Sequence, residues 1–369
     1  MVYRVIGVMS GSSLDGLDIA YVHLHAGAGK WSYEIVDAET YAYSAEWAAR
    51  LGQATELSAR DYLLLHSDYG RFVGERINGF IQARNLDFQV QLVASHGHTT
   101  FHLPARGMTA QLGDGATIAA VTGVQVVTDL RALDVALGGQ GAPIVPIGEK
   151  LLLPEYGYYL NLGGIANLSV APGQGGGGTP GGATDYVAFD VCPAGRVLNL
   201  LAERNGEPFD RDGRWAASGE VVPALLESLN ALDYYGLPHP KSLANEFGSQ
   251  EVYGLIEASR CSTEDGLRTY VEHIAMQVER AAAGGTAGKM LITGGGAHNV
   301  FLTERIGERL APMGIEIVVA DKTLADFKEA LIMALIGVLR LRMEDNTFAS
   351  VTGARRDSIG GALWNGQES

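Results

Sequence analysis

Apolar side chains gather in short runs at the start of the chain. Tyr3 to Met9, Ile19 to Leu24 and Ser32 to Ala38 are rich in β-branched and aromatic residues, and the polar stretch Ser10 to Asp18 separates the first two. Three such runs predict a strand meander. Tyr62, Leu65, Tyr69, Phe72, Ile77 and Phe80 then recur at three- to four-residue steps, which places them on one face of a long helix. Val90 to Ala94 and Val124 to Thr128 read as short buried strands, ending in Ser95-His96-Gly97 and Asp129-Leu130-Arg131. Polar chemistry is therefore expected just past strand ends.

The second half restarts this grammar. Tyr158 to Leu162, a Gly163-Gly164 turn and Ile165 to Val170 repeat the strand, glycine turn, strand opening, and a strand over Val187 to Phe189 delivers Asp190. Thr263 to Ala283 reads as a helix, Met290 to Thr293 as a strand, Gly294 to Gly296 as a turn and Asp326 to Met343 as a helix. An internal duplication is consistent with this order. The stretch Pro172 to Gly182 is glycine-rich with little apolar content, the composition of a flexible insertion. It contains G-x-G-x-x-G at Gly173, Gly175 and Gly178, without the strand-to-helix context of a dinucleotide fingerprint. There is no P-loop motif.

Length and charge narrow the picture. A chain of 369 residues with 47% apolar content exceeds one ordinary core, so two domains are expected. The formal charge of -15 disfavours nucleic acid, whose phosphates need clustered Lys and Arg. ATP remains compatible, because backbone N–H groups at glycine turns and a divalent cation offset phosphate charge locally. Two cysteines, Cys192 and Cys261, make no disulfide framework, and no apolar run reaches the length of about 18 residues that a membrane span needs. With no secretory leader pattern at Met1 to Met9, a cytoplasmic protein without a membrane partner is expected.

Three glycine turns follow apolar strands: Gly7 to Asp18, Asn161 to Asn167, and Leu291 to Asn299. The first brings glycines, hydroxyls and carboxylates into one turn, which suits either phosphate and magnesium or an ordinary hairpin. Asp190 fits a general base or a helix cap before Pro193. His96, His98 and His102 raise the question of a metal, but no fourth ligand is evident nearby, so hydrogen bonding to a polar ligand or a structural role is favoured. Arg131 suits a forked contact to a substrate or an ion pair with Asp129 or Asp134. Gly138 to Pro143 suits a hinge or a rigid corner.

Taken in order, GVMSGSSLDGLD from Gly7, SHGHTTFH from Ser95, QLGDGATIA from Gln111, TDLRALDVALGGQGAPIVP from Thr128, LNLGGIANLS from Leu160, AFD ending at Asp190, PKS at 240–242 and LITGGGAHN from Leu291 resemble the anhydro-N-acetylmuramic acid kinase family over nearly the whole chain. The resemblance implies an α/β fold of two ribonuclease-H-like, actin-like ATPase domains with ATP and sugar in an interdomain cleft. The domains would be 1–130 plus about 344–369, and 131–343. It implies ATP with Mg2+, possible cation contact near Asp15, and a homodimer. ATP would be held by Gly11, Ser12, Ser13, Leu14, Asp15, Gly16, Leu17 and Asp18, by Gly163, Gly164 and Asn167, and by Gly294, Gly295, Gly296 and Asn299. His96, Thr99, Arg131 and Glu329 would bind the sugar, and Asp190 would activate the water that opens its 1,6-anhydro bridge.

The chain departs from the usual family pattern at His98, Leu130, Val191 to Ala194 and Leu243 to Asn245. These departures keep a kinase of another 1,6-anhydro sugar such as levoglucosan, or a nucleotide-dependent binding protein of the same fold, as alternatives.

Overall fold

A computed structural model describes residues 1–11, 14–173, 186–238, 241–244 and 246–366. The chain forms two compact units. Unit 1 comprises Met1–Leu153 and Phe327–Ser369, and unit 2 is Pro154–Asp326. The stretches 131–153 and 327–343 thus group with the N-terminal residues, whereas the sequence divides the chain near Leu130 and Met343.

In unit 1 the meander forms as expected: β1 (Val2–Ser10), β2 (Gly16–Gly27) and β3 (Lys30–Ala42) pair antiparallel. β4 (Leu92–Leu103) runs parallel to β1, and β6 (Val126–Thr128) runs parallel to β4. β5 (Met108–Leu112) pairs with β4, and β12 (Ala362–Trp364) closes the far edge against β6. β4 is longer than the sequence reading allows. His96, His98 and His102 lie within this strand rather than in a turn after it, because β5 supplies the hydrogen-bond partners that carry β4 on to Leu103.

Strand alternation explains how both faces of this sheet are covered. Ile6 and Val8 join the core made by the helix Ala59–Ala83, which buries Leu65, Tyr69, Phe72, Val73, Ile77 and Phe80. Ser58 caps that helix by accepting the Asp61 N–H at 3.2 Å. Each large apolar side chain buried this way contributes about 1.5–3 kcal/mol. Gly7, between Ile6 and Val8, faces the helix Lys322–Arg342; a Cβ there would sit 1.8 Å from the carbonyl oxygen of Ala330. The two backbones touch. That helix begins at the end of unit 2 and is further fixed in unit 1 by a buried ion pair, Lys328 Nζ to Glu149 Oε1 at 3.1 Å.

Unit 2 repeats the strand order. β7 (Tyr158–Leu162), β8 (Ile165–Val170) and β9 (Val187–Pro193) form an antiparallel meander, β10 (Gly288–Thr293) runs parallel to β7, and β11 (Ile315–Val319) runs parallel to β10. The sequences β3-β2-β1-β4-β6 and β9-β8-β7-β10-β11 match in order and in strand direction. Two ribonuclease-H-like sheets, the architecture of the actin-like ATPases, are therefore built on one plan. The helix Thr263–Ala282, capped by Ser262, buries Leu267, Tyr270, Val271, Ile274 and Val278 in the unit 2 core. Among the described residues, no helix is long and apolar enough to cross a membrane.

Candidate active site

In unit 2 the strand register gathers the predicted chemistry at one end of the sheet. Asn167 on β8 lies opposite Asp190 on β9, and its amide donates to Asp190 Oδ1. The Leu243 N–H donates to Oδ2 at 2.8 Å, while the backbone of Asp190 is held by the Lys241 carbonyl at 3.1 Å and the Tyr234 hydroxyl at 2.6 Å. Both carboxylate oxygens are thereby oriented. Burial raises the Asp190 carboxyl above its ordinary value, an effect opposed by the Leu243 N–H and the Asn167 amide. Asn167, read from sequence as a nucleotide contact, has its side chain engaged with the carboxylate.

The second and third glycine turns emerge side by side, since Asn161 on β7 pairs with Thr293 on β10. Gly294 has φ 85°, and a Cβ there would approach the Leu162 carbonyl oxygen to 2.8 Å. The Gly163 and Gly164 carbonyls accept N–H groups of Gly195 and Ala194 at 2.9 Å each, tying this turn to the end of β9. Asn299 caps the helix Val300–Leu310 through the Leu302 N–H at 3.0 Å, so its side chain has a structural task. His298 bonds Asp326 at 2.7 Å, a pair that sequence patterns did not single out.

In unit 1 the first glycine turn joins β1 to β2. Gly11, Leu14 and Asp15 lie in it, Leu14 with φ 58°, whereas Gly16, Leu17 and Asp18 already belong to β2. Ser12 and Ser13 lie outside the described residues. Leu17 is buried in the core, which leaves only its backbone for a ligand, and Asp18 accepts the Thr40 hydroxyl at 2.6 Å. Beneath the turn, Ser10 Oγ bonds the Tyr43 hydroxyl at 2.8 Å and His98 Nδ1 at 3.1 Å, and Tyr43 meets the Tyr69 hydroxyl at 2.5 Å. Burial holds His98 below its ordinary pKa and raises Tyr69 well above its own, so both are neutral links. Ser10 sits inside the first motif, but periodicity marks Tyr69 only as core and is blind to its hydroxyl.

Two of the predicted sugar contacts of unit 1, His96 and Arg131, are hydrogen-bonded to each other. Arg131 Nε donates to His96 Nε2 at 2.7 Å, and Arg131 Nη1 donates to the Gly141 carbonyl at 2.5 Å. His96 Nδ1–H donates to the Gly97 carbonyl at 2.8 Å, which leaves Nε2 as the acceptor and fixes the tautomer. Burial and the Arg131 charge push His96 down to about 3, so it orients the guanidinium as a neutral ring. Burial lowers Arg131 to about 10, opposed by Glu329 and Asp134, and it stays cationic at neutral pH. Thr99, half-buried, accepts from Gln111 Nε2 at 3.4 Å.

The three neighbouring histidines each have a hydrogen-bond partner of their own. His96 bonds Arg131, His98 bonds Ser10 and His102 bonds Thr109 at 3.0 Å. Among the described residues no group of three or more His, Cys, Asp or Glu side chains could hold a metal ion. Of the departures from the usual family pattern, Leu130, Val191, Cys192 and Ala194 are buried, and Asn245 lies outside the described residues. These four buried side chains alter packing rather than supply exposed polar contacts.

Comparison with known proteins identifies the family. Residues 3–366 match the family described as anhydro-N-acetylmuramic acid kinase. The anhydro-N-acetylmuramic acid kinase of Aliivibrio fischeri is 31% identical over 378 residues, covering 98% of this chain and 99% of the relative. Among solved structures, the activator of the 2-hydroxyisocaproyl-CoA dehydratase from Clostridium difficile with bound ADPNP is 14% identical with a TM-score of 0.43, covering 92% of this chain and 96% of that one. The (R)-2-hydroxyglutaryl-CoA dehydratase component A of Acidaminococcus fermentans is 15% identical with a TM-score of 0.42, covering 91% and 97%. By the family match and the identity to the Aliivibrio fischeri enzyme over nearly its full length, the chain belongs to the anhydro-N-acetylmuramic acid kinase family.

Proposed function

We propose that this ATP-dependent kinase hydrolyses the internal bridge of 1,6-anhydro-N-acetylmuramic acid while phosphorylating O6, releasing N-acetylmuramic acid 6-phosphate and ADP. Asp190 takes a proton from water as the water oxygen bonds to C1. The C1–O6 bond breaks, O6 bonds to the γ-phosphorus, and the bond from that phosphorus to the β-phosphate oxygen breaks. Arg131, Thr99, His96 and Glu329 orient the sugar. The turns at Gly11 to Asp15, Gly163-Gly164 and Gly294 to Gly296 offer backbone N–H groups to the nucleotide.

The observation that carries this assignment is the state of Asp190: a carboxylate oriented through both oxygens and made more basic by burial. Such a group is suited to water activation, and general-base help is worth about two to four powers of ten in rate. Phosphoryl transfer itself needs mainly positioning and charge neutralisation. Magnesium fits as the ion that travels with ATP, because such Mg2+ keeps several waters and takes only one or two protein carboxylates. Asp15, exposed in the first turn, and Asp18 at the start of β2 are the residues that would hold it. When bound, the ion neutralises charge on the phosphates.

The test is a coupled ADP-release assay with 1,6-anhydro-N-acetylmuramic acid, levoglucosan and N-acetylmuramic acid as separate acceptors, with products weighed by mass spectrometry. Turnover of the first alone, with a product heavier than substrate by phosphate plus water, is expected. Preferential turnover of levoglucosan would replace the substrate assignment.

A further inference from the structure

Arg131 is held by more than His96. The loop after its short helix folds back over the side chain of Asp134, which is 1% exposed. Asp134 Oδ2 accepts the Gly141 N–H at 2.8 Å, and Oδ1 accepts the Thr352 hydroxyl at 2.7 Å. The same loop is stitched by Gly139 N–H to the Asp134 carbonyl at 2.9 Å and by Gln140 N–H to the Thr352 carbonyl at 2.8 Å. Gly139 passes so close that a Cβ would lie 2.3 Å from Asp134 Oδ2, so no larger residue fits while the carboxylate keeps its place. Gly141 then offers its carbonyl to Arg131 Nη1. With Nε on His96 and Nη1 on Gly141, Nη2 remains as the guanidinium nitrogen without a hydrogen bond among the described residues.

We infer that Asp134 and Thr352 are positioning residues for substrate binding: the buried Thr352–Asp134–Gly141 chain sets the Gly141 carbonyl, and thereby the direction in which Arg131 presents Nη2 to the sugar. The inference rests on the assignment of Arg131 as a sugar contact. It gives a role to the segment Ala349–Thr352, which lies more than 200 positions from Arg131 in sequence and touches no predicted ligand group. It also explains why a buried carboxylate stands here. Asp134 accepts two neutral donors, and its charge opposes the loss of the Arg131 charge to burial without consuming a guanidinium nitrogen.

Thr352→Val keeps the side-chain shape and removes the hydroxyl, whereas Thr352→Ser retains it. Because a contact made equally in ground and transition states affects KM rather than kcat, Thr352→Val is expected to raise KM for the anhydro sugar about tenfold. That loss is typical of one disturbed charge-assisted contact. Its kcat and its KM for ATP should stay within about twofold, and Thr352→Ser should restore the sugar KM. A second readout does not depend on the sugar's identity. In 15N-histidine spectra, the His96 Nε2 resonance, assigned through His96→Gln, should move in Thr352→Val as its bond from Arg131 loosens. An unmoved His96 signal, or a variant that only melts lower with sugar KM unchanged, overturns the inference. If the wild-type enzyme turns over none of the three sugars, the substrate assignment fails and the histidine signal alone decides this one.

Discussion

Replacing Asp190 by Asn separates the chemistry of this carboxylate from its structural role. Asn presents one acceptor and one donor where Asp presents two acceptors. The Leu243 N–H belongs to the backbone and must keep an acceptor, so the carbonyl of the introduced amide takes that side. The new NH2 then faces Asn167, whose amide can turn over to offer its oxygen instead. The mismatch is repaired locally, and the stability change should stay within about 1 kcal/mol, below the 1–3 kcal/mol of an unpaired buried donor. What is lost is the base. Turnover should fall by roughly 10²–10⁴, equivalent to about 2.7–5.4 kcal/mol in the barrier, with sugar KM nearly unchanged. The coupled ADP assay reads kcat and KM, and thermal melting reads the fold. In the wild type, kcat should also decline as pH falls through the raised Asp190 value, a limb the variant should lack. A stably folded Asp190→Asn enzyme keeping more than about a tenth of wild-type kcat would refute the assignment of Asp190 as base.

Two further outcomes concern stability. Gly7→Ala drives a methyl into the Ala330 carbonyl and should destabilise unit 1 by about 1–3 kcal/mol or more, while Gly27→Ala, whose Cβ would meet nothing within 4 Å, should be near neutral; chemical denaturation compares them. His96 and His273 are both held neutral by burial, at about 3 each. Their folded values lie below the unfolded 6.5, so the unfolded chain binds more protons between those limits and stability should fall as pH drops from about 6.5 toward 3. Each contributes a slope of about 1.4 kcal/mol per pH unit, measurable by denaturation at a series of pH values.

Local pattern carried much of this architecture. The β-rich run Tyr3 to Met9, the 3.6-residue period of Tyr62 to Phe80 and the apolar run Val187 to Phe189 are each properties of a few neighbouring residues, and each element is present, although β9 continues through Asp190 to Pro193 and so holds Asp190 within the strand rather than past its end. What escaped depends on partners distant in sequence. β4 continues to Leu103 only because β5 pairs with it, and β12 is three residues long and exists as an edge on β6. The site divides in the same way. Asp190 and Arg131 stand out as polar residues directly after apolar runs, but Tyr43, Tyr69, Asp134 and Thr352 acquire their roles through hydroxyl and carboxylate contacts across 26 to 218 positions. Hydrophobic periodicity assigns Tyr69 to the core correctly and cannot see what its oxygen does.

The discontinuity of unit 1 bears on how the protein is made. Unit 2 is one uninterrupted stretch, so its sheet has every strand once β11 has emerged from the ribosome. Unit 1 begins first and finishes last: β1 waits for the helix Lys322–Arg342 to cover its Gly7 face, and β6 waits for residues 362–364. During synthesis the sheet of unit 1 therefore holds an uncovered apolar face on β1 and an unpaired edge on β6 while some two hundred residues follow Thr128 before the helix at Lys322 appears. That makes nascent unit 1 the part of the chain with most need of a chaperone, and truncations before β12 the ones most prone to aggregate.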